Sequence, residues 1–484
     1  MTHFDRSTII AGTEDAAISA ITLDKTADQP LHVQLTGQLR ELILSGRILP
    51  AERLPASRAL AKDLGVSRIT VTTSMDQLVA EGYAEGRHGQ GLFVVPDLPE
   101  KLLSPGTPRP GHVFRPLRAN RAAVVPFQPA ALDDRLFPHQ EWSRLLERCW
   151  REQGPAGFGS VTTAGHGPLR EAIARHLYLW RGLPCQPSDV IVTAGGADAV
   201  QLLVEALRLT GKKVVLEDPG YGLFHTMLGA ANMTVLPRLV DGQGLDPLGL
   251  PPASLAIVTP SRHYPLGCSM PLARRLDLLD WAHRHEAFIV EDDFDSEYRY
   301  RGTPLPAMMG LGEAGRVIYL GSFSKVFSPA LRLGYLVLPP QLTPRFMAVL
   351  EARGAMASAV AQPALAQFMA SGRFATHIRR MRRIYATRQQ ALVEAVGRHL
   401  PGVLEVEPEA GGMHLTARLS PALAARMNDV ELSDIARCNG LSLRPLSSFC
   451  HGKVSMQGVL MGYSGFDETE LDAACRKLAA LLQA

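Results

Sequence analysis

Serines, one lysine and one arginine stand between the two apolar runs of the stretch YLGSFSKVFSPALRLGYLVLP, residues 319–339. Ser322 and Ser324 precede Lys325. Arg332 follows that lysine by seven residues. Hydroxyl groups and an arginine fork suit a phosphate, and the lysine is then left to react with a carbonyl group. Pyridoxal phosphate carries both groups, so this spacing predicts a site for that cofactor. The structural alternative is a snorkelling surface lysine, which the apolar flanks disfavour.

Three further features fit the same cofactor. Asp292 closes the apolar run AFIVED, and a carboxylate there would keep a pyridine nitrogen protonated. The glycine-rich stretch TAGGADAV enters a helix and could offer the backbone N–H groups of Gly196 and Ala197 to a phosphate. Tyr221 in EDPGYG could stack on the ring. Strand-end aspartates, glycine-rich turns and single tyrosines are usually structural, so these features count only together with the lysine.

A second stretch, LPASRALAKDLGVSRITVTTSMDQLVAEGYAEGRHGQGLFV at 54–94, is typical of a different function. Its apolar residues recur at helical spacing on both sides of a Gly-Val-Ser turn: Leu60, Leu64, Val71, Met75 and Leu78. The second helix would present its first residues to a DNA major groove: Ser67, Arg68, Thr70 and Thr72. Arg58 and Lys62 on the helix before it could hold the DNA backbone. The hairpin that follows has a narrow, partly basic tip suited to a minor groove or phosphates: Arg87, His88, Gly89, Gln90 and Gly91. Small winged helices also bind proteins, which is the alternative interpretation.

Two domains and a linker must position these residues. The segment QPLHVQLTGQLRELILSGRILP predicts an amphipathic helix whose apolar positions are Val33, Leu35, Leu39, Leu42 and Ile43. With the two helices and the hairpin after it, residues 24–96 are predicted to form a winged helix-turn-helix. Residues 97–125 are a proline-rich basic linker. From 126 to 484, short Val/Ile/Leu runs alternate with helical stretches, which predicts an α/β domain with a mainly parallel sheet and a smaller C-terminal α+β subdomain.

Bulk properties set limits on partners and location. The chain has 484 residues, a formal net charge of +3 and six scattered cysteines, with no close pair of the metal or redox type. We therefore expect no metal site. Residues 24–95 carry eight Lys/Arg and eight Asp/Glu, so a DNA-binding surface must be a local patch. No run approaches the roughly 18 apolar residues of a membrane span, and the first residues lack the order of a signal peptide, so we expect a cytoplasmic protein.

The segment from Pro30 to Val94 closely resembles the GntR-family DNA-binding domain. It matches the family's sequence patterns LPxSRxLAxxLGVSRxTV and EGYxxxxxGxGxFV, with Ala56 in place of the usual serine. The resemblance implies binding to double-stranded DNA. The positions that it implies touch DNA are Arg58, Ser67, Arg68, Thr70, His88 and Gly89.

Residues 126–484 resemble the fold-type I aminotransferases throughout, and the whole chain resembles the MocR/GabR subfamily of GntR regulators. The resemblance implies an aldimine between pyridoxal phosphate and Lys325, a pyridine contact by Asp292 and ring stacking by Tyr221. It implies phosphate contacts by Ser322, Ser324 and Arg332, beside Gly196 and Ala197, and we add Tyr264 of TPSRHYPLG to the cofactor-binding set. It also implies a head-to-tail homodimer in which each DNA-binding unit rests on the other chain.

The sequence departs from the family pattern at several positions. Phe294 of EDDFDSE replaces a tyrosine that would hydrogen-bond the cofactor's ring oxygen, and Phe158 stands where a partner-reaching tyrosine is frequent. Arg262 and His263 replace the usual His-Gln pair. Leu460 occupies the place of the arginine that holds the substrate carboxylate in aminotransferases. A bound acid would then need Arg262, Arg444 or another group, and the sequence leaves these alternatives open.

The leading hypothesis is a pyridoxal-phosphate-dependent transcriptional regulator. Its aminotransferase-like domain would sense an amine, an amino acid or a vitamer of the cofactor, and its operator would have paired half-sites. The alternative is an aminotransferase whose N-terminal domain only docks another protein. The fusion to a winged helix and Leu460 favour the regulator, while Lys325 and Asp292 keep a residual half-transamination open.

Overall fold

The computed structural model describes residues 21–98, 124–153, 163–303, 305–311, 315–452 and 456–483. The chain divides into two compact units, residues 1–120 and 121–484. Almost all of the linker predicted at 97–125 lies outside the described residues.

The N-terminal unit consists of three helices followed by a hairpin. These elements are α1 Leu31–Leu44, α2 Ser57–Asp63, α3 Arg68–Ala80, β1 Ala84–Arg87 and β2 Gly91–Val94, and the two strands pair antiparallel. Its core is built from the apolar positions that recur at helical spacing, including Leu35, Leu39, Leu60, Val71 and Leu78. The winged helix-turn-helix prediction is thereby confirmed.

One residue of the predicted apolar face of α1 lies elsewhere. Val33 is 40% exposed, whereas Leu35 is fully buried. Residues two positions apart on a helix point to different sides, so Val33 and Leu35 do not share the inward face. The inward positions are Leu35, Leu39, Leu42 and Ile43.

The second unit is built around an eight-stranded sheet. Its strands are β3 Val190–Thr193, β4 Lys213–Asp218, β5 Thr234–Asp241, β6 Gly244–Leu245, β7 Leu255–Val258, β8 Phe288–Asp293, β9 Val317–Ser322 and β10 Gly334–Val337. They lie in the order β3-β10-β9-β8-β7-β4-β5-β6. β10 runs antiparallel to both of its neighbours and β6 runs antiparallel to β5. The mainly parallel α/β fold is confirmed.

Helices cover both faces of this sheet, which is why its central strands read as continuous apolar runs. The helices are α4 His139–Gln153, α5 Gly167–Arg181, α6 Gly196–Leu207, α7 Gly222–Ala230, α8 Leu272–Arg284, α9 Phe323–Val326, α10 Thr343–Arg353, α11 Gln362–Ala370 and α12 Arg373–His399. Leu203 of α6 and Phe346 of α10 belong to one core cluster. Trp281 of α8 belongs to another, together with Ile289 and Val317 of the sheet.

A smaller α+β part follows, as predicted. Its elements are β11 Leu404–Glu405, β12 His414–Leu419, α13 Pro421–Ala424, α14 Asp429–Cys438, β13 Arg444–Pro445, β14 Gly458–Gly462 and α15 Glu468–Gln483. The four strands form an antiparallel sheet in the order β11-β12-β14-β13. Among the described residues, none of the helices is both long enough and apolar enough to cross a membrane.

Candidate functional site

A cavity of about 460 Å³ opens at the carboxyl ends of the central strands. This volume is within the range of ligand-binding pockets. Eight of the nine residues predicted to bind the cofactor line it: Gly196, Ala197, Tyr221, Tyr264, Asp292, Ser322, Ser324 and Lys325. They come from distant parts of the sequence, and the sheet brings them together.

Strand register explains how the central pair of residues meets. β8 and β9 are neighbouring parallel strands, and Asp292 is paired with Leu320. The chain leaves β9 at Ser322, which caps α9 by accepting a hydrogen bond from the backbone N–H of Ser324 at 3.2 Å. Lys325 therefore projects from the first turn after β9, at the same edge of the sheet as Asp292.

The amine of Lys325 is placed for nucleophilic chemistry. Burial lowers the pKa of Lys325, although the Asp295 carboxylate acts in the opposite direction. Desolvation favours the neutral form of a buried lysine. A larger fraction of the side chain is thus unprotonated and able to attack a carbonyl than in a solvent-exposed lysine.

The Asp292 carboxyl lacks a counter-charge. Its pKa is raised to about 8, first by burial and then by the carboxylates of Asp293, Glu217 and Asp295. Within the described part of the chain, no group donates a hydrogen bond to it or pairs with it. A protonated ring nitrogen beside Asp292 would supply the missing cation, so this end of the cavity fits the pyridine of pyridoxal phosphate.

The cavity also has a site suited to an anion, at the N-terminus of α6. Gly195 precedes the helix with a φ of +93°, a backbone conformation that favours glycine. The N-terminal backbone N–H groups of Gly196 and Ala197 then lie at the positive end of the helix dipole, beside the cavity. The hydroxyls of Ser322 and Ser324 line the same cavity. These donors suit a phosphate.

Arg332 is the ninth predicted residue, and it is not among those that line the cavity. It ends a short 3₁₀ turn, Pro329–Leu331, with a φ of +47°. Arg332 is exposed. The sequence spacing placed Arg332 close to the site along the chain but did not determine its side-chain direction. Its phosphate contact stays a prediction.

Aromatic rings form a large part of the cavity wall. The Tyr264 ring has edge-on contacts, with centroids 5.4–5.7 Å away, to Tyr221, Phe294, Phe449 and His414. Burial raises the pKa of Tyr264 to about 12, so its hydroxyl is a protonated donor at neutral pH. Tyr221 is 44% exposed, and burial together with Asp292 raises its pKa. Phe294 has a ring but no hydroxyl to offer.

The structure separates the two arginines that sequence analysis left open as acid-binding groups. Arg262 is buried and donates hydrogen bonds to Asp295 at 3.1 Å, to Glu409 at 2.7 Å and to the backbone oxygen of His414 at 2.8 Å. It does not line the cavity, whereas Arg444 does.

His263, next to Arg262, is also buried. Burial and the neighbouring Arg262 lower the pKa of His263 to about 3, so it is neutral.

The predicted DNA-contacting residues are assembled on the N-terminal unit. Arg58 and Arg68 lie on its surface, and neither pairs with an acid within the described part of the chain. Ser67 caps α3 by accepting a hydrogen bond from the backbone N–H of Thr70 at 3.1 Å, so it fixes the start of that helix. His88 and Gly89 lie at the exposed tip between β1 and β2.

Sequence analysis missed one residue of this surface. Ile69, in the first turn of α3, is 77% exposed. An apolar side chain at that position of a reading helix suits the methyl group of thymine. Its signal in the sequence was an apolar residue outside the inward helical face.

Contacts within the β1–β2 hairpin stabilise it. Arg87 forms an ion pair with Glu85 at 2.9 Å, and its guanidinium lies 4.5 Å from the centre of the Phe93 ring. Arg87 is thus partly engaged within the hairpin.

In the other unit, Phe158 lies outside the described residues.

The described residues contain no group of three or more His, Cys, Asp or Glu side chains that could hold a metal ion.

Comparison with known proteins relates both units to families. Residues 31–94 match the model of bacterial regulatory proteins of the gntR family, and residues 132–478 match that of aminotransferase class I and II. The chain is 41% identical over 460 residues to the probable rhizopine catabolism regulatory protein MocR of Rhizobium meliloti, covering 92% of each chain. It is 32% identical over 461 residues to the pyridoxine biosynthesis transcriptional regulator PdxR of Corynebacterium glutamicum, covering 93% of this chain and 96% of that one.

Among solved structures, the chain is similar to LysN, the α-aminoadipate aminotransferase of Thermus thermophilus, complexed with N-(5'-phosphopyridoxyl)-L-leucine. The TM-score is 0.66 at 26% identity, over 74% of this chain and 92% of that one. The covered share is close to the length of the second unit, residues 121–484. Family models and full-length relatives agree on a fused architecture, and the chain belongs to the MocR/GabR subfamily of GntR-family transcriptional regulators, which join a winged helix-turn-helix to an aminotransferase class I and II domain.

Proposed function

We propose that this protein is a pyridoxal-phosphate-dependent transcriptional regulator that reads an operator with its N-terminal unit and senses an amine, an amino acid or a cofactor vitamer with its second unit. The observation that carries the proposal is the cavity in which Lys325, Asp292 and the α6 N-terminus lie together, on a chain that also presents the unpaired Arg58 and Arg68.

The chain's own residues would each hold one part of the cofactor. The backbone N–H groups of Gly196 and Ala197, with the hydroxyls of Ser322 and Ser324, would bind the phosphate. Asp292 would hold a proton on the ring nitrogen. When bound, pyridoxal phosphate supplies a reactive carbonyl and an electron-withdrawing ring.

Three other side chains would orient that ring and react with it. Tyr221, at the cavity mouth, would cover one ring face. Tyr264 would donate a hydrogen bond from its hydroxyl to the ring oxygen, in place of the tyrosine that Phe294 replaces, because no described residue accepts a hydrogen bond from that hydroxyl. Lys325 would attach the cofactor through its amine. Arg332 would reach the phosphate by rotating its side chain toward the cavity.

Lys325 is also the residue through which an effector would act. An amine that competes with the lysine for the carbonyl frees the lysine side chain within a largely desolvated site. Such a change alters DNA binding only when the effector interacts differently with two arrangements of the protein. The proposal takes the displacement of Lys325 as this differential interaction.

The names of relatives support an effector of this chemistry. The Rhizobium relative is named for rhizopine catabolism and the Corynebacterium relative for pyridoxine biosynthesis.

We further propose that the protein forms a head-to-tail homodimer, in which each DNA-reading unit rests on the other chain, and that it acts in the cytoplasm. A two-fold dimer requires an operator with paired half-sites.

DNA would be read at the start of α3. Arg68 and Ile69 would contact base edges, Arg58 would contact phosphates, and the hairpin tip with His88 and Gly89 would contact the minor groove or backbone. Ser67 and Thr70 would combine capping of α3 with contacts to the DNA backbone.

A footprint of the protein's own upstream region tests the proposal. Wild-type protein should protect paired half-sites at low salt, and an active amine should change the protection. Lys325→Ala should still bind DNA but should not respond to the amine. Lys477→Ala, which removes an exposed lysine of α15, is the matched control and should respond as wild type. Absence of any protected site at low salt would overturn the regulator and favour an aminotransferase.

A further inference from the structure

We infer that Asp295 is the carboxylate that holds the Lys325 ammonium after an effector amine has displaced this side chain from the cofactor. The inference rests on the proposed function, because it takes Lys325 as the residue that the effector displaces. It adds the anion that makes the displacement favourable.

Displacement of Lys325 brings a positive charge into the cavity. In an exchange of amines at the carbonyl carbon, the C–N bond to Lys325 breaks as the C–N bond to the effector forms, and nothing is oxidised or reduced. The nitrogen of the linkage carries one proton before and after, so the two protons that the effector ammonium gives up pass to the lysine nitrogen. Lys325 therefore ends as an ammonium in a largely desolvated site, where an unpaired charge is unfavourable.

Asp295 has an unused oxygen for that ammonium. The residue follows β8, is 2% exposed and lines the same cavity as Lys325. Oδ2 of Asp295 accepts a hydrogen bond from Arg262 at 3.1 Å, whereas Oδ1 is buried and has no hydrogen-bond partner among the described residues. A buried carboxylate oxygen without a donor is destabilising, and a cation would relieve this cost.

Lys325 is also without a partner. Within the described part of the chain, its amine forms neither an ion pair nor a hydrogen bond. Asp295 is nevertheless near enough to act against the fall in the pKa of Lys325 that burial causes. The four-carbon stem of a lysine is flexible, so its ammonium can move to a carboxylate of the same cavity.

The charges around Asp295 leave a second cation to be supplied. Arg262 donates to Asp295 and, at 2.7 Å, to Glu409, so one guanidinium is shared by two carboxylates. Burial outweighs this single cation, which raises the pKa of Asp295 to about 7 and also raises the pKa of Glu409. The ammonium of Lys325 would balance the second carboxylate.

Arg262 keeps Asp295 in place for this contact. Its guanidinium also donates to the backbone oxygen of His414 at 2.8 Å, and a Cβ atom on Gly412 would lie only 2.2 Å from it. The guanidinium is thus enclosed and has little freedom to move. Asp295 is held through Oδ2 and keeps Oδ1 for another donor.

The titratable groups that line the cavity together with Lys325 decide which anion is available: Tyr221, Tyr264, Asp292, Asp295, His414 and Arg444. The pKa values of the two tyrosines are raised and that of the histidine is lowered, so all three are uncharged at neutral pH. The arginine is itself a cation, and Asp292 is assigned to the ring nitrogen. Among the described residues that line the cavity, Asp295 is the carboxylate left for Lys325.

The pKa of Lys325 tests the inference without DNA. Full-length protein that has not been loaded with cofactor is labelled with an amine-reactive reagent over a range of pH, and mass spectrometry follows the peptide that carries Lys325. Only the neutral amine reacts. Asp295→Asn should lower the pKa of Lys325 by about one unit, because it removes the anion that stabilises the ammonium.

Matched variants assign the shift to one carboxylate. Asp292→Asn, at the other carboxyl of the cavity, should shift the pKa of Lys325 by less. Asp434→Asn removes an exposed carboxylate of α14 and should leave it unchanged. Asp295→Glu keeps the charge and should restore most of the wild-type value, and Asp295→Ser is a second neutral variant for use where asparagine prevents folding.

Exchange with a plain amine gives a second readout. The cofactor-loaded protein is titrated with propylamine, and the visible band gives the exchange constant. Asp295→Asn should weaken the exchange about tenfold, since one pKa unit of lost ammonium stabilisation corresponds to this factor. An unchanged pKa of Lys325 in a folded Asp295→Asn or Asp295→Ser protein would overturn the inference, as would a larger shift in Asp292→Asn.

The two readouts separate this inference from the proposed function. A wild-type protein that shows no visible band with pyridoxal phosphate contradicts the proposed function itself. A protein that shows the band, but whose Lys325 pKa and exchange constant do not depend on Asp295, contradicts only the assignment of Asp295.

Discussion

Asp292 and Lys325 line one cavity from neighbouring parallel strands: Asp292 is paired in register with Leu320 of β9, and Lys325 follows that strand in the first turn of α9. The carboxyl has a raised pKa and the amine a lowered one. Burial is the leading cause of both shifts, since it disfavours the charged form of each group. A bound cofactor that offers a cation to the first and a carbonyl to the second would satisfy both.

Replacement of Lys325 by alanine should abolish the visible absorption of the protein purified with pyridoxal phosphate. No other lysine of the described residues lines the cavity, so no substitute amine is available there. Absorption spectra and borohydride reduction followed by peptide mapping measure the outcome. Lys477→Ala should keep the band. A reducible adduct on the same peptide of the Lys325→Ala variant would contradict the assignment.

Asp292→Asn should stabilise the cofactor-free protein at alkaline pH. The folded-state pKa of Asp292, about 8, lies above the unfolded value, so the folded state binds more protons than the unfolded state between roughly pH 4 and pH 8. Stability therefore falls as the pH rises through this window, and asparagine removes that loss. Melting temperatures should differ by several degrees at pH 8.5 and converge near pH 4.

Glu217 and Asp295, whose pKa values are raised to about 7, titrate in the same window in both proteins, and their charges help to raise the pKa of Asp292, so the difference between the two proteins includes this coupling. The same variant should bind pyridoxal phosphate more weakly, since asparagine offers no charge to the ring nitrogen. A variant less stable than wild type at pH 8.5 would count against the unpaired carboxyl.

Hydroxyl donors at the cofactor's ring oxygen should set the pH at which the visible band changes. A donor stabilises the anionic oxygen, so Phe294→Tyr should lower the midpoint of the absorbance-versus-pH curve and Tyr264→Phe should raise it. Spectrophotometric titration of the loaded proteins measures both. Superimposable curves for wild type and the two variants would refute the function of Tyr264 as the replacement donor.

Loss of Arg58 or Arg68 should weaken operator binding by about 1–3 kcal/mol each, roughly 5- to 150-fold in Kd. Both lie unpaired on the surface, so their charges are available to DNA. His88→Ala should cost less. Gel shifts over a range of salt give a second measure, because removal of one phosphate contact should reduce the slope of log K against log salt by about 0.9. Arg437→Ala, in the other unit, serves as the control, and variants at Arg58 and Arg68 that match it would disprove their contact with DNA.

Removal of Arg262 should destabilise the second unit by about 3–5 kcal/mol, because Asp295 and Glu409 would be left buried without a cation. The pKa of Asp295 is raised to about 7 even with Arg262 present, since burial outweighs the ion pair. Chemical denaturation of Arg262→Met measures the loss. The triple variant with Asp295→Asn and Glu409→Gln should recover much of it, and no recovery would show that charge is not the cause.

Much of this protein could be predicted from local sequence. Helical spacing around the Gly-Val-Ser turn predicted α2 and α3, and apolar runs ending in polar residues predicted six of the sheet strands together with the position of Asp292. These inferences hold because backbone geometry repeats every 3.6 residues in a helix and every two in a strand, and because parallel strands end at one edge. Two strands were missed: Pro237 interrupts the pattern of β5, and β6 has only two residues.

Side-chain environment, in contrast, was decided only by the tertiary structure. Sequence left Arg262 and Arg444 equivalent, but folding brings Glu409 to Arg262 and leaves Arg444 unpaired on the cavity wall. Folding also leaves the side chain of Arg332 outside the cavity lining and raises the pKa of Asp292. Ion pairing and desolvation depend on groups that are distant in sequence, and a local pattern carries no information about which of them meet.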